Sequence, residues 1–246
     1  MFASAADSAS AAAARAAELI IEAVRKRGGA RVIAATGNSQ KDFIDRLVIE
    51  RDVPWDRVTL FHMDEYVGLG ASHPASFRLW IRTRIEGHVH PKEAHYIEGD
   101  APDVDAEAGR YERLLLSDEI DLAFVGIGEN GHIAFNDPPV ADFHDPKIVK
   151  RVALDDACKR QQAGEGHFES VKAVPSEALT ITCPGLFRAK AWITVVPDQR
   201  KAEAVKAALE GPITTACPAS ILRRHPNATV YLDRSSASRL TQNEAH

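Results

Sequence analysis

The chain has 246 residues, of which 45% are hydrophobic and 26% are charged, and its formal net charge is -5. This composition is typical of globular proteins and excludes intrinsic disorder and fibrous repeats. The acidic balance argues against nucleic-acid binding, which usually needs a basic excess, and no apolar run reaches the roughly 18 residues that a membrane span needs. We therefore expect neither nucleic acid nor membrane as a partner.

The cysteines and the first residues indicate a cellular compartment. Cys158, Cys183 and Cys217 are widely spaced and form no CxxC pair, which is typical of a reducing environment rather than of a disulfide framework. The alanine-rich start has no basic head before its apolar part, and Arg15 interrupts the alanines. This pattern favours an amphipathic helix over a signal peptide, so the sequence predicts a cytoplasmic protein.

Short β-branched runs alternate with segments of helical spacing along the chain. The first helix is predicted at about residues 8–27, before Gly28 and Gly29. The predicted strands that follow are Arg31–Ala35, Val58–Met63, Tyr96–Ile97, Ile120–Val125, Leu179–Thr182, Ala191–Val196 and Thr229–Leu232. The other predicted helices are Lys41–Glu50, Phe77–Ile85, Val104–Leu116, Arg200–Leu209 and Pro218–Arg223.

Strands separated by helices imply right-handed crossovers and a mostly parallel sheet that is covered on both faces. No linker or repeat interrupts the pattern, so we expect one α/β domain over residues 1–246, with its core at about 30–235. Ligands of such sheets bind outside the carboxyl ends of the strands. Polar turns at residues 36–40, 64–65 and 126–137 all follow predicted strands, which predicts one shared cleft.

The first of these turns contains Thr36, Gly37, Asn38 and Ser39. Gly37 permits close backbone approach, and the hydroxyl groups with the unpaired N–H groups of the following helix suit an anion such as phosphate. An ordinary turn with Ser39 as the helix N-cap is the alternative. The turn is not a Walker loop, because the GK[ST] ending is missing.

The glycines at 126, 128 and 131 match the spacing of the dinucleotide fingerprint and follow a strand. That fingerprint also needs a helix at its third glycine, whereas Pro138 and Pro139 forbid a long helix here. We therefore reject NAD binding for this glycine-rich loop.

The same loop presents Glu129, Asn130, His132 and Asp137 around a glycine-lined cavity to which Gly131 belongs. A histidine flanked by carboxylates is a candidate acid or base, because its pKa can be tuned across neutral pH. A structural loop histidine is the alternative.

Two further residues are candidates by position. Asp64 follows a predicted strand and would reach the ligand crevice as a general base, unless it serves as an N-cap or in a loop salt bridge. Lys201 begins a predicted helix and would be either an anion contact or a surface lysine. The histidines at 88, 90 and 95 lack a carboxylate or cysteine at metal-ligand spacing, so we expect a solvated edge there and no metal.

Six segments carry a family resemblance, and MDEY and GHIAFN are the most specific sequences within them. The segments are Ala35–Ser39, Phe61–Gly68, His73–Phe77, Ile120–Pro138, Ala178–Ile181 and Lys201–Gly211. Together they resemble the glucosamine-6-phosphate deaminase family, which also contains galactosamine-6-phosphate isomerases and is related to 6-phosphogluconolactonases. The similarity spans about residues 30–235 in consistent order.

The resemblance implies a Rossmann-like three-layer αβα sandwich, often assembled into homo-oligomers, with a sugar-phosphate substrate and no cofactor. In the family, the turn matching residues 36–39 holds the phosphate with the help of the lysine matching Lys201. The aspartate matching Asp64 takes the C2 proton. The histidine matching His132 opens the sugar ring and is oriented by the positions of Asn130 and Asp137.

Three positions depart from the family pattern. Asn130 stands where some members have aspartate, and both occur in the family. Asp137 replaces the more usual glutamate and is one methylene shorter, so we expect its contact with His132 to lengthen or to need water. Residues 158–168 lack the usual arginine-phenylalanine-phenylalanine pattern, which leaves Arg160 or Lys159 as candidates for the phosphate-binding cation.

The predicted function is therefore that of an enzyme of amino-sugar catabolism. It would convert glucosamine 6-phosphate, or a close epimer, to a ketose 6-phosphate with release of ammonia. A 6-phosphogluconolactonase-like hydrolase is an alternative, although Tyr66 and Ile133 differ from the residues usual in lactonases. A sugar-phosphate-binding regulator without catalysis is a second alternative, against which the retention of both Asp64 and His132 argues.

Overall fold

The computed structural model describes residues 1–164, 166 and 168–241. Its α-helices are α1 (Ala5–Arg27), α2 (Lys41–Leu47), α3 (Phe77–Ile81), α4 (Val104–Leu116), α5 (Asp156–Gly164), α6 (Cys183–Phe187) and α7 (Ala202–Glu210). Its strands are β1 (Ala30–Ala34), β2 (Val58–His62), β3 (Asp64–Tyr66), β4 (Glu93–His95), β5 (Leu122–Val125), β6 (Val149–Ala153), β7 (Glu177–Ile181), β8 (Ala191–Val196) and β9 (Ala228–Leu232).

Six strands form a parallel sheet in the order β4-β2-β1-β5-β8-β9. One face packs against α1, α2 and α3 through residues such as Ile20, Phe43 and Ile81. The opposite face packs against α4, α6 and α7 through residues such as Leu115 and Leu186. The confirmed fold class is thus a Rossmann-like αβα sandwich, and the strand order reverses between β1 and β5, where such sheets form their ligand crevice.

A second, antiparallel sheet of three strands lies beside the sandwich in the order β3-β7-β6. Its inner face adds Leu179 and Ile181 to the core shared with α4 and α6. Its outer face supports a separate apolar cluster around Tyr66, Phe135 and Cys158, which includes the buried side of α5. This sheet therefore attaches α5 to the main fold.

The second sheet corrects the sequence prediction in two places. The strand predicted at Leu179–Thr182 lies at Glu177–Ile181 and pairs with β3 and β6, outside the parallel sheet. Asp64 does not follow the end of a continuous strand but begins β3, because the chain changes sheets at Met63. The prediction missed β6, α5 and α6, and it placed the strand of Glu93–His95 at residues 96–97.

Other boundaries agree closely with the sequence. Helix α1 ends before Gly28, which has φ 79°, as predicted. It begins at Ala5, before the predicted start at about residue 8, because the Ser4 hydroxyl caps it by accepting from the Asp7 N–H. Helix α4 and strand β8 begin and end at the predicted residues. Within the described part of the chain, no helix has the length and apolarity needed to span a membrane.

The buried carboxylate of Glu65 joins β3 to α3. It accepts hydrogen bonds from the Ser76 hydroxyl at 2.8 Å and from the backbone N–H groups of Phe77 and Arg78 at 3.2 and 3.0 Å. The guanidinium of Arg78, itself buried, lies 3.4 Å from the same carboxylate. Removing the carboxylate would leave a buried cation and several donors without this acceptor.

We expect Glu65→Ala to lower the free energy of unfolding by about 3–5 kcal/mol, because it breaks a buried ion pair from one side. Asp45→Ala is the matched control, since the ion pair of Asp45 with Arg84 is partly exposed and should be worth less than about 1 kcal/mol. Urea denaturation measures both variants. Equal losses would contradict this role of Glu65.

Candidate active site

The polar turns that follow β1, β2 and β5 meet in one cleft at the carboxyl end of the parallel sheet. The cleft encloses ≈ 570 Å³, a volume that includes its open mouth. Its polar lining comes from Thr36, Gly37, Ser39, Asp64, His132, Gln161, Gln162 and Lys201. The structure therefore brings together most of the residues that the sequence singled out.

The turn after β1 forms one end of the cleft. Gly37 has φ 93°, a backbone conformation that favours glycine. The Gln40 side chain supports the turn by donating from Nε2 to the Ser39 hydroxyl and to the Val195 carbonyl, both at 3.2 Å. Asn38 faces the adjoining groove rather than the cleft itself.

Lys201 reaches the same end of the cleft from the chain that follows β8. Its backbone N–H donates to the Asp198 carbonyl at 3.1 Å, and Asp198 has φ 84°. The lysine is 7% exposed. Among the described residues that line the cleft, it is the one lysine or arginine, so a bound anion would meet its charge together with the hydroxyl groups of Thr36 and Ser39.

The loop after β5 holds His132 by one edge of its ring. The ring nitrogen Nδ1 lies 2.7 Å from Asn130 Oδ1 and 3.1 Å from Asp137 Oδ1. Asn130 Nδ2 in turn donates to Asp137 Oδ1 at 2.8 Å. Because both neighbours present oxygen to Nδ1, this nitrogen carries the proton, and Nε2 is left to exchange protons with a ligand.

Asp137 contacts His132 directly, with 3.1 Å between Asp137 Oδ1 and His132 Nδ1. The shorter side chain was expected to lengthen this contact or to need water; the observed contact needs no water. Burial by itself would raise the pKa of Asp137, but the hydrogen bonds from His132 and Asn130 outweigh burial and lower that pKa overall. The Asp137 carboxylate therefore stays ionised at pH values where an ordinary aspartate would begin to take up a proton. The Cys158 thiol also faces it, and burial together with the negative charge of Asp137 raises the pKa of that thiol.

Two glycines of this loop have different structural roles. A Cβ atom on Gly128 would lie 2.1–2.4 Å from three atoms of the His132 ring, so the ring packs directly on the backbone of this glycine. Gly131 does not line the cleft; it turns the chain at φ 83° beside the Cys217 sulfur. The glycine-rich loop continues without a helix, as Pro138 and Pro139 indicate, and so lacks the helix that a dinucleotide fingerprint needs.

Asp64 lies in the cleft at the point where the chain passes from β2 to β3. It is 6% exposed and lines the cleft together with Met63. Its carbonyl oxygen is 2.8 Å from Nδ1 of the buried His62, whose Nε2 is 2.9 Å from the backbone nitrogen of Ile97. The backbone that carries the candidate base is therefore held by a neighbouring side chain.

Helix α5 contributes to the cleft, which was not predicted from the sequence. Gln161 and Gln162 line it, and the side-chain oxygen Oε1 of Gln162 accepts from the Tyr66 hydroxyl at 2.6 Å. Arg160, the candidate for the phosphate-binding cation, is exposed on α5 and does not line the cleft. The sequence indicated only that residues 158–168 depart from the family pattern, and it did not indicate which side chains of this segment line the cleft.

A family model described as glucosamine-6-phosphate isomerases/6-phosphogluconolactonase matches residues 3–231. A glucosamine-6-phosphate deaminase of Listeria welshimeri is 36% identical over 206 residues, which are 84% of this chain and 86% of that protein. A glucosamine-6-phosphate deaminase of Lactobacillus delbrueckii subsp. bulgaricus is 33% identical over 224 residues, covering 91% and 92% of the two chains.

Solved structures agree with these matches. A monomeric glucosamine-6-phosphate deaminase superposes with a TM-score of 0.87 at 30% identity, over 96% of this chain and 97% of that one. A 6-phosphogluconolactonase from Trypanosoma cruzi superposes with a TM-score of 0.78 over 98% and 96%, at 17% identity. The second similarity concerns the fold alone.

The packing of His132 on Gly128 predicts the effect of one added methyl group. Gly128→Ala forces the imidazole out of its position, so we expect catalytic turnover to fall at least about 100-fold, the lower end of what one acid–base group supplies. Gly109→Ala in α4 is the control, because nothing lies within 3.4 Å of its added Cβ. Steady-state kinetics on the folded variants measures the effect, and normal turnover by Gly128→Ala would contradict it.

The buried His62 predicts a pH dependence of stability. Burial lowers the pKa of His62 from the usual 6.5 of histidine to about 3, so the unfolded chain binds a proton below pH 6.5 that the folded chain excludes. The contribution of neutral His62 to the free energy of unfolding is fully present above pH 6.5. It declines as the pH falls toward 3, by up to about 1.4 kcal/mol per pH unit.

Between pH 7 and pH 5 the wild-type protein should therefore lose about 2 kcal/mol more unfolding free energy than His62→Gln. Urea denaturation at both pH values measures the difference. The exposed His144 provides a control, since His144→Gln should keep the wild-type dependence. If His62→Gln also showed the wild-type pH dependence, the conclusion that folded His62 is buried and neutral would be wrong.

Proposed function

The chain belongs to the family of glucosamine-6-phosphate isomerases and 6-phosphogluconolactonases, and we propose that it is an enzyme that deaminates and isomerises glucosamine 6-phosphate. One observation carries the proposal: Asp64 and His132 line a single cleft with Lys201 and with Thr36, Gly37 and Ser39 of the turn after β1. A carboxylate and an imidazole beside an anion site are the groups that proton transfer on a sugar phosphate requires. The similar deaminases support the same substrate.

Binding begins at the phosphate. The hydroxyl groups of Thr36 and Ser39, the backbone at Gly37 and the Lys201 ammonium hold the phosphate group. This contact places the sugar carbons toward Asp64 and His132, which converts the later proton transfers into steps within one complex. The amide groups of Gln161 and Gln162 contact the sugar from α5.

Ring opening is the first chemical step. His132 Nε2 accepts the proton of the anomeric hydroxyl and delivers a proton to the ring oxygen, so that the C1–O5 bond breaks and the aldehyde forms. Asn130 and Asp137 keep the Nδ1 proton in place and favour the imidazolium that forms transiently. A ring of fixed tautomer and orientation suits this exchange.

Isomerisation follows at C2, whose hydrogen the aldehyde acidifies. Asp64 removes the C2 proton while the aldehyde oxygen O1 takes up a proton, which gives an enolamine. The proton then returns from Asp64 to C1 while the amine nitrogen releases one, which leaves an imine at C2. Water adds to this imine, and ammonia leaves to give fructose 6-phosphate. Each general acid–base step of this kind contributes roughly 10²–10⁴-fold, and the balance of atoms needs no cofactor.

The test is incubation of the purified protein with glucosamine 6-phosphate, followed by measurement of ammonia and of fructose 6-phosphate. We expect the two products in equal amounts. Hydrolysis of 6-phosphogluconolactone without either product would replace the proposal by the lactonase alternative. Tight binding of glucosamine 6-phosphate without any turnover would replace it by the regulator.

Asp64→Asn is the matched variant for this assay, because it keeps the size of the side chain and removes the base. We expect turnover to disappear while calorimetry shows substrate affinity within a few-fold of wild type. An active Asp64→Asn protein would remove this residue from its role. Assembly into homo-oligomers and a cytoplasmic location stay predictions for this chain.

A further inference from the structure

The chain leaves the parallel sheet at His62 and enters the antiparallel sheet at Asp64, with Met63 between them. At the end of β2, the backbone N–H of His62 donates to the Tyr111 hydroxyl at 3.0 Å, and its carbonyl accepts from the same hydroxyl at 2.8 Å. The Met63 carbonyl already accepts from β7, through the N–H of Ile181 at 2.8 Å. The change of sheets thus takes place within three residues.

The Asp64 carbonyl does not face β7. Met63 and Val67 bond to β7, at Ile181 and Glu177, and in an antiparallel pair alternate residues of a strand face the partner strand. Asp64 is next to Met63, so its backbone groups point away from β7. Since β3 is an edge strand, this carbonyl lies on the open edge, and the ring of His62 is what meets it.

The contacts of the His62 ring determine its tautomer. Nε2 accepts from the Ile97 N–H at 2.9 Å, so it carries no proton. Nδ1 therefore carries the proton and donates to the Asp64 carbonyl at 2.8 Å. The residue is 1% exposed and does not line the cleft, so the ring does not touch the substrate.

We infer that His62 is a positioning residue for the base: its ring ties the backbone of Asp64 to that of Ile97 and so fixes where the Asp64 carboxylate stands over the sugar. The inference rests on the proposed function, in which Asp64 moves the C2 proton. Proton transfer from carbon is sensitive to such placement, since a misplacement of 1 Å costs about 100-fold in rate.

Two substitutions separate the two ends of this bridge. The amide nitrogen of asparagine is two bonds from Cβ, as is Nδ1 of histidine, and the amide group of glutamine ends three bonds from Cβ, as Nε2 does. His62→Asn therefore keeps the donor to Asp64 and loses the acceptor for Ile97. His62→Gln keeps the acceptor for Ile97 and loses the donor to Asp64.

We expect His62→Gln to lower kcat at least tenfold with an unchanged KM, because the phosphate contacts are intact. His62→Asn should retain kcat within about threefold of wild type. If His62 only stabilised the fold, both substitutions would lower the melting temperature, and kcat would not fall more in His62→Gln than in His62→Asn. Rates are therefore taken per folded protein, below the melting temperature of each variant.

His225 offers matched control variants. It is also buried, with Nε2 2.8 Å from the Ala189 carbonyl and Nδ1 accepting from the Asn227 N–H at 3.2 Å. It does not line the cleft. His225→Asn and His225→Gln should lower the melting temperature while kcat stays at the wild-type value.

A second measurement follows the proton itself. In D₂O with fructose 6-phosphate and ammonium, the reverse reaction exchanges hydrogen at C1 through Asp64, and this exchange should fall in His62→Gln by the same factor as kcat. Wild-type kcat in His62→Gln, or equal loss of kcat in both His62 variants, would overturn the positioning role alone. A wild-type protein without turnover would overturn the proposed function as well.

Discussion

The passage of the chain from one sheet to the other at Met63 determines the geometry of the whole cleft. Parallel strands alone would place the polar turns after β1 and β5 side by side at the crevice. The cleft gains a third wall because β2 continues into β3, which pairs with β7 away from the parallel sheet. Asp64 is the first residue beyond this passage, so its position depends on both sheets.

The two candidate catalytic groups are supported in opposite ways. His132 is held through its side chain, by the oxygens of Asn130 and Asp137, and it packs on the bare backbone of Gly128. Asp64 is held through its backbone, by the bridge from His62. An acid–base group that must switch between two protonation states benefits from oriented partners on its ring, whereas a carboxylate base needs placement and a route to the ligand.

Local sequence signals predicted the parts of the fold that local rules control. The bounds of α4 follow from the capping residue Asp103 and a clear apolar stripe, and β8 is a continuous apolar run. Strand β6 was missed because charged Lys150 and Arg151 separate its two buried valines, which hides the alternation of apolar and polar residues. Helix α5 was missed because its buried face consists of Cys158 and Gln162, which form no apolar stripe.

The same distinction explains which site residues the sequence could identify. Residues in turns after apolar strands are recognisable, as Thr36, Asp64 and His132 were, because the end of a buried strand marks the crevice. Gln162 has no such signal, since its place in the cleft follows from the pairing of β3 with β7 and from the hydroxyl of Tyr66.

Nothing in the local sequence distinguishes exposed Arg160 from the glutamines that line the cleft beside it. Where a family pattern would place a cation on this segment, the described lining presents amides. The positive charge of the lining comes from Lys201, on the chain that follows β8. An amide donates hydrogen bonds without adding charge. The side of the cleft nearest α5 is therefore suited to the hydroxyl groups of a sugar, while the turn after β1 and Lys201 suit its phosphate.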